Sequence, residues 1–308
     1  LKGDEVVDSW TIYSVGGGAL ANEASRLETP RSIYPLSTIS EIKEWCYHEG
    51  KTFWEYVSDC EGPEIWDYLD TVWETMCATI QRGLNNDGVL PGGLKVARKA
   101  STYWVKSKSY TDSLSSRAKI YAYALATSEE NASGGTVVTA PTCGSSGVMP
   151  AVLYHLSTSR NFLRIRILRA LATAGLFGNV AKTNSSISGA EVGCQGEVGV
   201  ACAMAAAAAC QLFGGTPSQI EYAAEMGLEH HLGLTCDPVC GLVQVPCIER
   251  NAIAAARAFD ANAYATLSDG SHMVSFDKVV EVMNETGHAL PSLYRETSEG
   301  GLAKRFKR

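Results

Sequence analysis

The chain of 308 residues lacks the sequence features of several protein classes. It has no run of about 18 apolar residues, so we expect no transmembrane helix and no membrane partner. The nearest stretch, residues 198–212, is too short and only weakly apolar, and the N-terminus has no signal-peptide layout. Basic residues are outnumbered, with 26 Lys and Arg against 33 Asp and Glu. Because nucleic-acid binding requires a basic surface, we also expect no nucleic-acid partner.

Closely spaced cysteine pairs of the C-x₂-C type are also missing, although the chain has ten cysteines. Zinc ribbons and compact ferredoxin clusters depend on such pairs, so the spacing favours neither. Nothing in the sequence indicates secretion, and a chain of this length does not need disulfides to form a core. We therefore expect free thiols and a cytoplasmic location.

Strand patterns are scarce after residue 40, and helical patterns dominate from residue 37 onward. Thr38 and Glu41 form a capping-box pattern, and apolar residues recur every three or four positions between Ile65 and Ile80. Further helices are predicted over residues 111–130, 148–157, 160–182, 247–267 and 275–288, and after Thr216. The sequence therefore predicts an all-α domain over 37–308, preceded by an irregular or strand-like segment over 1–36.

Three loops between the predicted helices combine Gly or Pro, hydroxyl residues and cysteine: 139–147, 184–196 and 234–247. Backbone N–H groups and hydroxyls in such loops suit a small anionic ligand such as a carboxylate. Cys194, Cys236 and Cys247 lie in the second and third loops, 42 and 11 residues apart. Taken alone, this spacing is a weak metal signal, although the adjacent Gly and Pro residues favour loops in which thiolates can converge.

Several stretches of the sequence resemble the iron–sulfur-dependent L-serine dehydratases, the bacterial type that does not use PLP. They are TAPTCGSSGVMPAVL, NSSISGAEVGCQGEVGVACAMAAA, EHHLGLTCDPVCGLVQVPCIERNAIAA and YRETSEGGLA, and the likeness covers roughly residues 8–303. The resemblance implies a helical catalytic domain that converts L-serine to pyruvate and ammonia. It also implies a 4Fe–4S cluster held by Cys194, Cys236 and Cys247, with one iron left open for the substrate.

The resemblance also implies partners for the chain. Members of this family carry a smaller α/β domain with a Ser-Ser-His-Thr motif near the site, and this motif is absent here. Residues 1–18 look like the tail of that domain, so we interpret 1–36 as its remnant or a linker. We expect a beta-type subunit or a missing N-terminal domain to complete the site, within an oligomer. Arg295 and Glu296 match the last family stretch, and we expect a structural ion pair between them.

Hydroxyl, thiol and amide groups of the first two loops are the candidate ligands for the substrate. We expect them to hydrogen-bond the carboxylate of L-serine, although each could instead satisfy its own turn; they are Thr142, Cys143, Ser145, Ser146, Asn184, Ser185 and Ser186. Lys95 is the one catalytic candidate, and a solvated lysine is the simpler interpretation. Cys143 and Cys240 are candidates for a fourth, resting ligand, because the tail lacks the terminal Cys that some members place there.

Three alternatives stay open. The same elimination could act on L-cysteine or L-threonine. This alternative is kept because Cys143 lies in a loop that is predicted to bind the substrate. A non-catalytic iron–sulfur redox protein would need four protein ligands and a reversible couple. A structural zinc protein would contain zinc instead of iron and sulfide.

Overall fold

The computed structural model describes residues 6–14, 20–22 and 33–306. The α-helices of this part of the chain are α1 (Ile39–Glu49), α2 (Phe53–Glu61), α3 (Glu64–Leu84), α4 (Ala100–Ser107), α5 (Asp112–Ala132), α6 (Val148–Arg160), α7 (Arg164–Asn184), α8 (Gly189–Val192), α9 (Val200–Leu212), α10 (Pro217–Glu229), α11 (Cys247–Leu267), α12 (Phe276–Ala289) and α13 (Gly301–Arg305). Strands β1 (Tyr13–Ser14) and β2 (Leu20–Ala21) pair antiparallel, with Tyr13 opposite Ala21. The predicted all-α class is confirmed. Much of the predicted remnant over 1–36 lies outside the described residues.

Local signals for helix starts are confirmed at both predicted positions. Thr38 Oγ1 accepts a hydrogen bond from the Glu41 backbone N–H at 3.2 Å, and the Glu41 carboxylate accepts from the Thr38 N–H at 3.1 Å. Thr216 and Gln219 exchange the same two bonds at the start of α10, where Pro217 is the first helical residue. Such caps satisfy backbone donors that have no partner inside the helix. The helix predicted over 247–267 has the same bounds in the structure.

Helix α9 lies at the centre of the domain and packs against α6, α7, α10 and α11. All of its residues except Gln211 are buried. The backbones of α9 and α10 pack closely, because Ala203 faces Gly227. A Cβ on Gly227 would lie only 2.9 Å from the Ala203 Cα. A helix buried on every side has no polar face, so its sequence lacks the usual helical periodicity. Even so, none of the described helices is long and apolar enough to span a membrane.

Gly83 allows α3 and α5 to pack backbone against backbone. A Cβ at this position would lie 2.3 Å from the Ala126 carbonyl oxygen. We therefore expect Gly83→Ala to lower the free energy of unfolding by about 1–3 kcal/mol through overpacking. The control is Gly175→Ala in α7, where nothing lies within 4 Å of the added methyl group; it is expected to stabilise by about 0.5–1 kcal/mol. Urea unfolding measures both changes, and equal effects would contradict the packing interpretation.

Candidate functional site

The three loops that contain Gly and Cys meet around one carboxylate, that of Glu197. Thr142 of the first loop donates a hydrogen bond from Oγ1 to Glu197 Oε1 at 2.9 Å. Cys236 of the third loop donates from Sγ to Glu197 Oε2 at 3.8 Å. Glu197 lies in a π-helical turn (Gln195–Gly199) that directly follows Cys194 of the second loop. Turns of this kind are frequent at functional sites. The three loops therefore meet at Glu197, which is not among the candidates predicted from the sequence.

Two of the candidate ligand cysteines are neighbours, and the third is close enough to be affected by the charge of one of them. The thiols of Cys194 and Cys236 interact, which lowers the pKa of Cys194 and raises that of Cys236. The positive charge of Arg250 further lowers the pKa of Cys194. Burial, followed by the negative charges of Cys194 and Glu197, raises the pKa of Cys247 to about 12. The three cysteines therefore belong to one site.

The chemistry of these side chains fits a metal group that is held by thiolates. A guanidinium next to buried thiols favours the thiolate form, and the thiolate is the form that binds metals. Within the described ranges, no group of three or more His, Cys, Asp or Glu side chains could together hold one metal ion. An iron–sulfur cluster does not require such a group, because each thiolate binds its own iron atom. Cys194, Cys236 and Cys247 are the side chains that could hold a cluster here.

Two glycines bring the backbone of the first and second loops close to Glu197. A Cβ on Gly189 would lie 2.7 Å from Glu197 Oε2 and 3.0 Å from Cys236 Sγ. A Cβ on Gly144 would lie 3.3 Å from Glu197 Oε1. Any larger residue at position 189 would displace the carboxylate or the thiol. Glycine at this position is therefore a requirement of the site and not only of the loop.

Glu197 is the main functional candidate that the sequence analysis missed. The surrounding loops desolvate its carboxylate, and this burial, followed by the charge of Cys194, raises its pKa to about 8. The hydrogen bonds from Thr142 and Cys236 act in the opposite direction. A signal was present in the sequence, since Glu197 is an acidic residue at the start of the apolar run that becomes α9. A carboxylate in such a run needs partners if it is to be buried.

Asn251 connects the first loop to the beginning of α11. Its Oδ1 accepts a hydrogen bond from the Gly147 N–H at 2.9 Å. Its Nδ2 donates to the carbonyl oxygens of Gly144 at 2.8 Å and Cys247 at 2.9 Å. The residue is only 1% exposed. One buried amide therefore fixes the loop that carries the candidate hydroxyls against the turn that carries Cys247.

The C-terminal segment packs over the third loop. The Cys236 N–H donates to the Tyr294 carbonyl at 2.9 Å, and the Cys236 carbonyl accepts from the Glu296 N–H at 2.6 Å. Arg295 donates from Nη1 to the carbonyl oxygen of Glu191 in the second loop, at 3.0 Å. The expected ion pair between Arg295 and Glu296 is wrong for these described residues, because Arg295 is directed to that carbonyl. The segment joins the second and third loops instead.

One of the candidate substrate ligands of the first loop, Thr142, contacts Glu197, and the others lie beside it in the chain. Thr142, Ser145 and Ser146 are buried, and Thr142 Oγ1 lies 3.0 Å from Ser145 Oγ. Ser146 Oγ is buried without a hydrogen-bond partner in the described part of the chain. Cys143 is partly buried, and burial followed by the charge of Glu197 raises the pKa of its thiol. These four residues are therefore well placed to contribute to one binding site, and their roles stay predictions.

The remaining candidates have other surroundings. The second-loop side chains hydrogen-bond different partners: Asn184 to the Ser37 carbonyl, Ser185 to Asn284, and Ser186 to the Ser188 N–H. Lys95 is exposed and has a φ of 52°, and no hydrogen bond or ion pair joins its side chain to any other described residue. Cys240 is exposed, with a φ of 56°. Functional roles for these residues also stay predictions.

Comparisons with known proteins identify the family of the chain. A family model described as serine dehydratase alpha chain matches residues 18–303. L-serine dehydratase 1 of Escherichia coli (strain K12) is 47% identical, over 98% of this chain and 70% of the relative. L-serine dehydratase of Streptomyces coelicolor is 46% identical, over 98% and 69% of the two chains, and that of Helicobacter pylori is 39% identical, over 99% and 70%. The chain therefore belongs to the serine dehydratase alpha-chain family.

Proposed function

We propose that the chain is the catalytic part of an L-serine dehydratase, which converts L-serine to pyruvate and ammonia. The relatives that match nearly the whole chain are named L-serine dehydratases. The observation that carries the proposal is the meeting, at Glu197, of Thr142 from a loop rich in hydroxyl groups with Cys236, whose thiol interacts with that of Cys194. Elimination of water from serine needs groups that orient the carboxylate and groups that stabilise a departing hydroxide.

We infer that Cys194, Cys236 and Cys247 would hold the 4Fe–4S cluster that the resemblance implies. When bound, such a cluster supplies a Lewis-acidic iron that stabilises negative charge on a leaving hydroxyl oxygen. The interaction between the thiols of Cys194 and Cys236 supports this assignment. Cys247 supports it as well, because it is the first residue of α11 and Arg250 follows it by about one turn.

The hydroxyls around the first loop would bind and orient the carboxylate of the substrate. Thr142 and Ser145 are already hydrogen-bonded to each other, and Thr142 is also bonded to Glu197. By contrast, Ser128 Oγ and Ser146 Oγ are buried and lack partners among the described residues. The Ser128 hydroxyl lies beside this loop, 2.5 Å from where a Cβ on Gly147 would be. Buried hydroxyls normally have partners, so a ligand oxygen would complete this region.

We further infer that residues 37–308 form the catalytic domain and that 1–36 lead into it from an α/β domain or subunit. The compared relatives support this inference, because this chain covers about 70% of each of them. The additional domain would supply groups to the same site, within an oligomer.

The proposal is tested by anaerobic purification, iron and sulfide analysis, and an assay of pyruvate from L-serine. The assay is run with the chain alone and with the part of a related L-serine dehydratase that this chain does not cover. Pyruvate formation that depends on bound iron is the expected result. If sulfide were released from L-cysteine, or 2-oxobutyrate from L-threonine, faster than pyruvate is formed from L-serine, that amino acid would be the preferred substrate. No product from any of the three amino acids in either assay would overturn the proposal.

Replacement of Glu197 tests the role of the carboxylate that joins the loops. Glu197→Gln keeps the shape of the side chain but replaces one of the two carboxyl oxygens that accept from Thr142 and Cys236 with an amide group, which donates. Leaving a buried donor without its acceptor costs about 1–3 kcal/mol, so kcat/KM for L-serine is expected to fall by about 5–150-fold. The matched control is Glu191→Gln, an exposed carboxylate in the same loop, which should keep its activity. Similar losses in both variants would contradict a specific role for Glu197.

A further inference from the structure

A groove of about 640 Å³ lies between α10, α11 and residues 271–274. None of its lining residues belongs to the three loops of the candidate active site. Its volume falls in the range of small-molecule binding sites, which is about 300–1,000 Å³. The proposed elimination does not use it.

The charges along this groove are only partly compensated. Two of the lining carboxylates have partners: Asp260 is 2.8 Å from Arg117, and Glu229 is 2.7 Å from His230. Two lining side chains of opposite charge, Glu225 and Arg257, have no hydrogen bond or ion pair with any described residue. The groove therefore presents one unpaired carboxyl group and one unpaired guanidinium group among the described residues.

Glu225 is the more unusual of the two, because it is only 6% exposed. Burial, followed by the negative charges of Glu229 and Glu221, raises the pKa of its carboxyl to about 7. Burying a carboxylate without a partner is unfavourable, so a cation beside it would be stabilised. Arg257 is exposed on the α11 side of the groove and can pair with an anion there.

Packed aromatic side chains form one apolar side of the same groove. The Tyr222 ring stacks on His272, with centroids 4.6 Å apart and planes 3° apart. Tyr264 meets Tyr222 edge to face at 6.0 Å. Met226 also lines the groove. Such a side favours an apolar group and disfavours a small polar one.

We propose that this groove binds an α-amino acid with an apolar side chain. Its ammonium group would pair with Glu225, its carboxylate with Arg257, and its side chain would lie against Tyr222 and Tyr264. A simple amine would leave Arg257 unpaired, and a simple carboxylic acid would leave Glu225 unpaired. A zwitterion offers a partner to each of the two groups. The proposal does not depend on whether the chain turns over L-serine.

Isothermal titration calorimetry of the 308-residue chain with L-phenylalanine tests this site directly. Binding at one site is expected, with phenethylamine, 3-phenylpropanoate and L-serine each at least tenfold weaker. Glu225→Gln and Arg257→Gln should each weaken L-phenylalanine binding at least tenfold. The matched control is Glu249→Gln, which removes an exposed carboxylate on α11 that pairs with Lys99 outside the groove; it should bind like the parent chain.

Several results would overturn the proposal: no binding of L-phenylalanine, unchanged binding in both groove variants, or equal binding of phenethylamine or L-serine. Arg257 is exposed, so its replacement is not expected to disturb folding even if that of the buried Glu225 does. Because binding is read as heat, a failure of L-serine turnover leaves this test intact.

Discussion

Replacement of Cys194, Cys236 or Cys247 by alanine, one at a time, is expected to abolish pyruvate formation from L-serine. Each change removes one of the three thiols that the site brings together. Loss of residues that only support metal ligands typically costs 10–100-fold, so loss of a ligand should exceed about 100-fold. Iron content and visible absorbance of the anaerobically purified variants, measured beside the pyruvate assay, separate loss of a bound cluster from loss of chemistry alone.

The matched control is Cys60→Ala, which removes a half-buried thiol of α2, outside the three loops in sequence. It should retain both iron and activity. A variant of Cys194, Cys236 or Cys247 with parental activity and iron would refute the assignment of that cysteine. Loss of iron from all three variants and not from the control is the pattern that supports a shared cluster.

Replacement of Asn251 by alanine is expected to have the largest effect on stability near the site. Three backbone groups would lose their side-chain partner: the Gly147 N–H and the carbonyls of Gly144 and Cys247. Leaving buried polar groups unsatisfied costs about 1–3 kcal/mol each, and partial relaxation should bring the total to about 2–4 kcal/mol. Activity should fall as well, because the first loop loses its attachment to α11. Urea unfolding measures the stability change.

Asn262→Ala is the control for this effect, since Asn262 is a buried asparagine on the same helix. Its amide accepts one hydrogen bond, from Thr266 Oγ1 at 3.2 Å, so a loss of about 1 kcal/mol is expected. Asn251→Asp adds a further comparison, because a carboxylate can accept from Gly147 but cannot donate to the two carbonyls. Equal losses in the free energy of unfolding for the Asn251→Ala and Asn262→Ala variants would contradict the proposed attachment of the first loop to α11 by Asn251.

Helices with local signals could be predicted from the sequence, and those without such signals could not. The caps at Thr38 and Thr216 act within four residues, so the sequence displays them in full. Helix α2 begins with the same kind of pattern, at Thr52 and Glu55, which the sequence-based predictions do not use, whereas the short helix α4 has no side-chain cap. Helix α9 has no polar face, because it is buried on all sides. Its alanines favour a helix by intrinsic propensity, although its apolar residues show no helical periodicity.

The difference between local patterns and long-range contacts also explains which residues of the candidate site could be predicted from the sequence. The three loops were recognisable because Gly, Pro, hydroxyl residues and cysteine cluster there in sequence. Glu197 and Asn251 were not, because their importance comes from contacts with residues about 55 and 104 positions away. Asn184 is the first residue of the predicted second loop. In the structure it is the last residue of α7, and its amide donates to the Ser37 carbonyl.

The positions of Cys194 and Cys236 also bear on how the protein matures. The 41 residues between these two thiols include all of α9 and α10, so the thiols become neighbours only after both helices have packed. Cys247 follows still later in the chain, at the start of α11. A nascent polypeptide therefore has no local segment that gathers all three sulfur atoms. Under the proposed assignment of these cysteines, iron and sulfide would be delivered late, after this part of the apoprotein has folded.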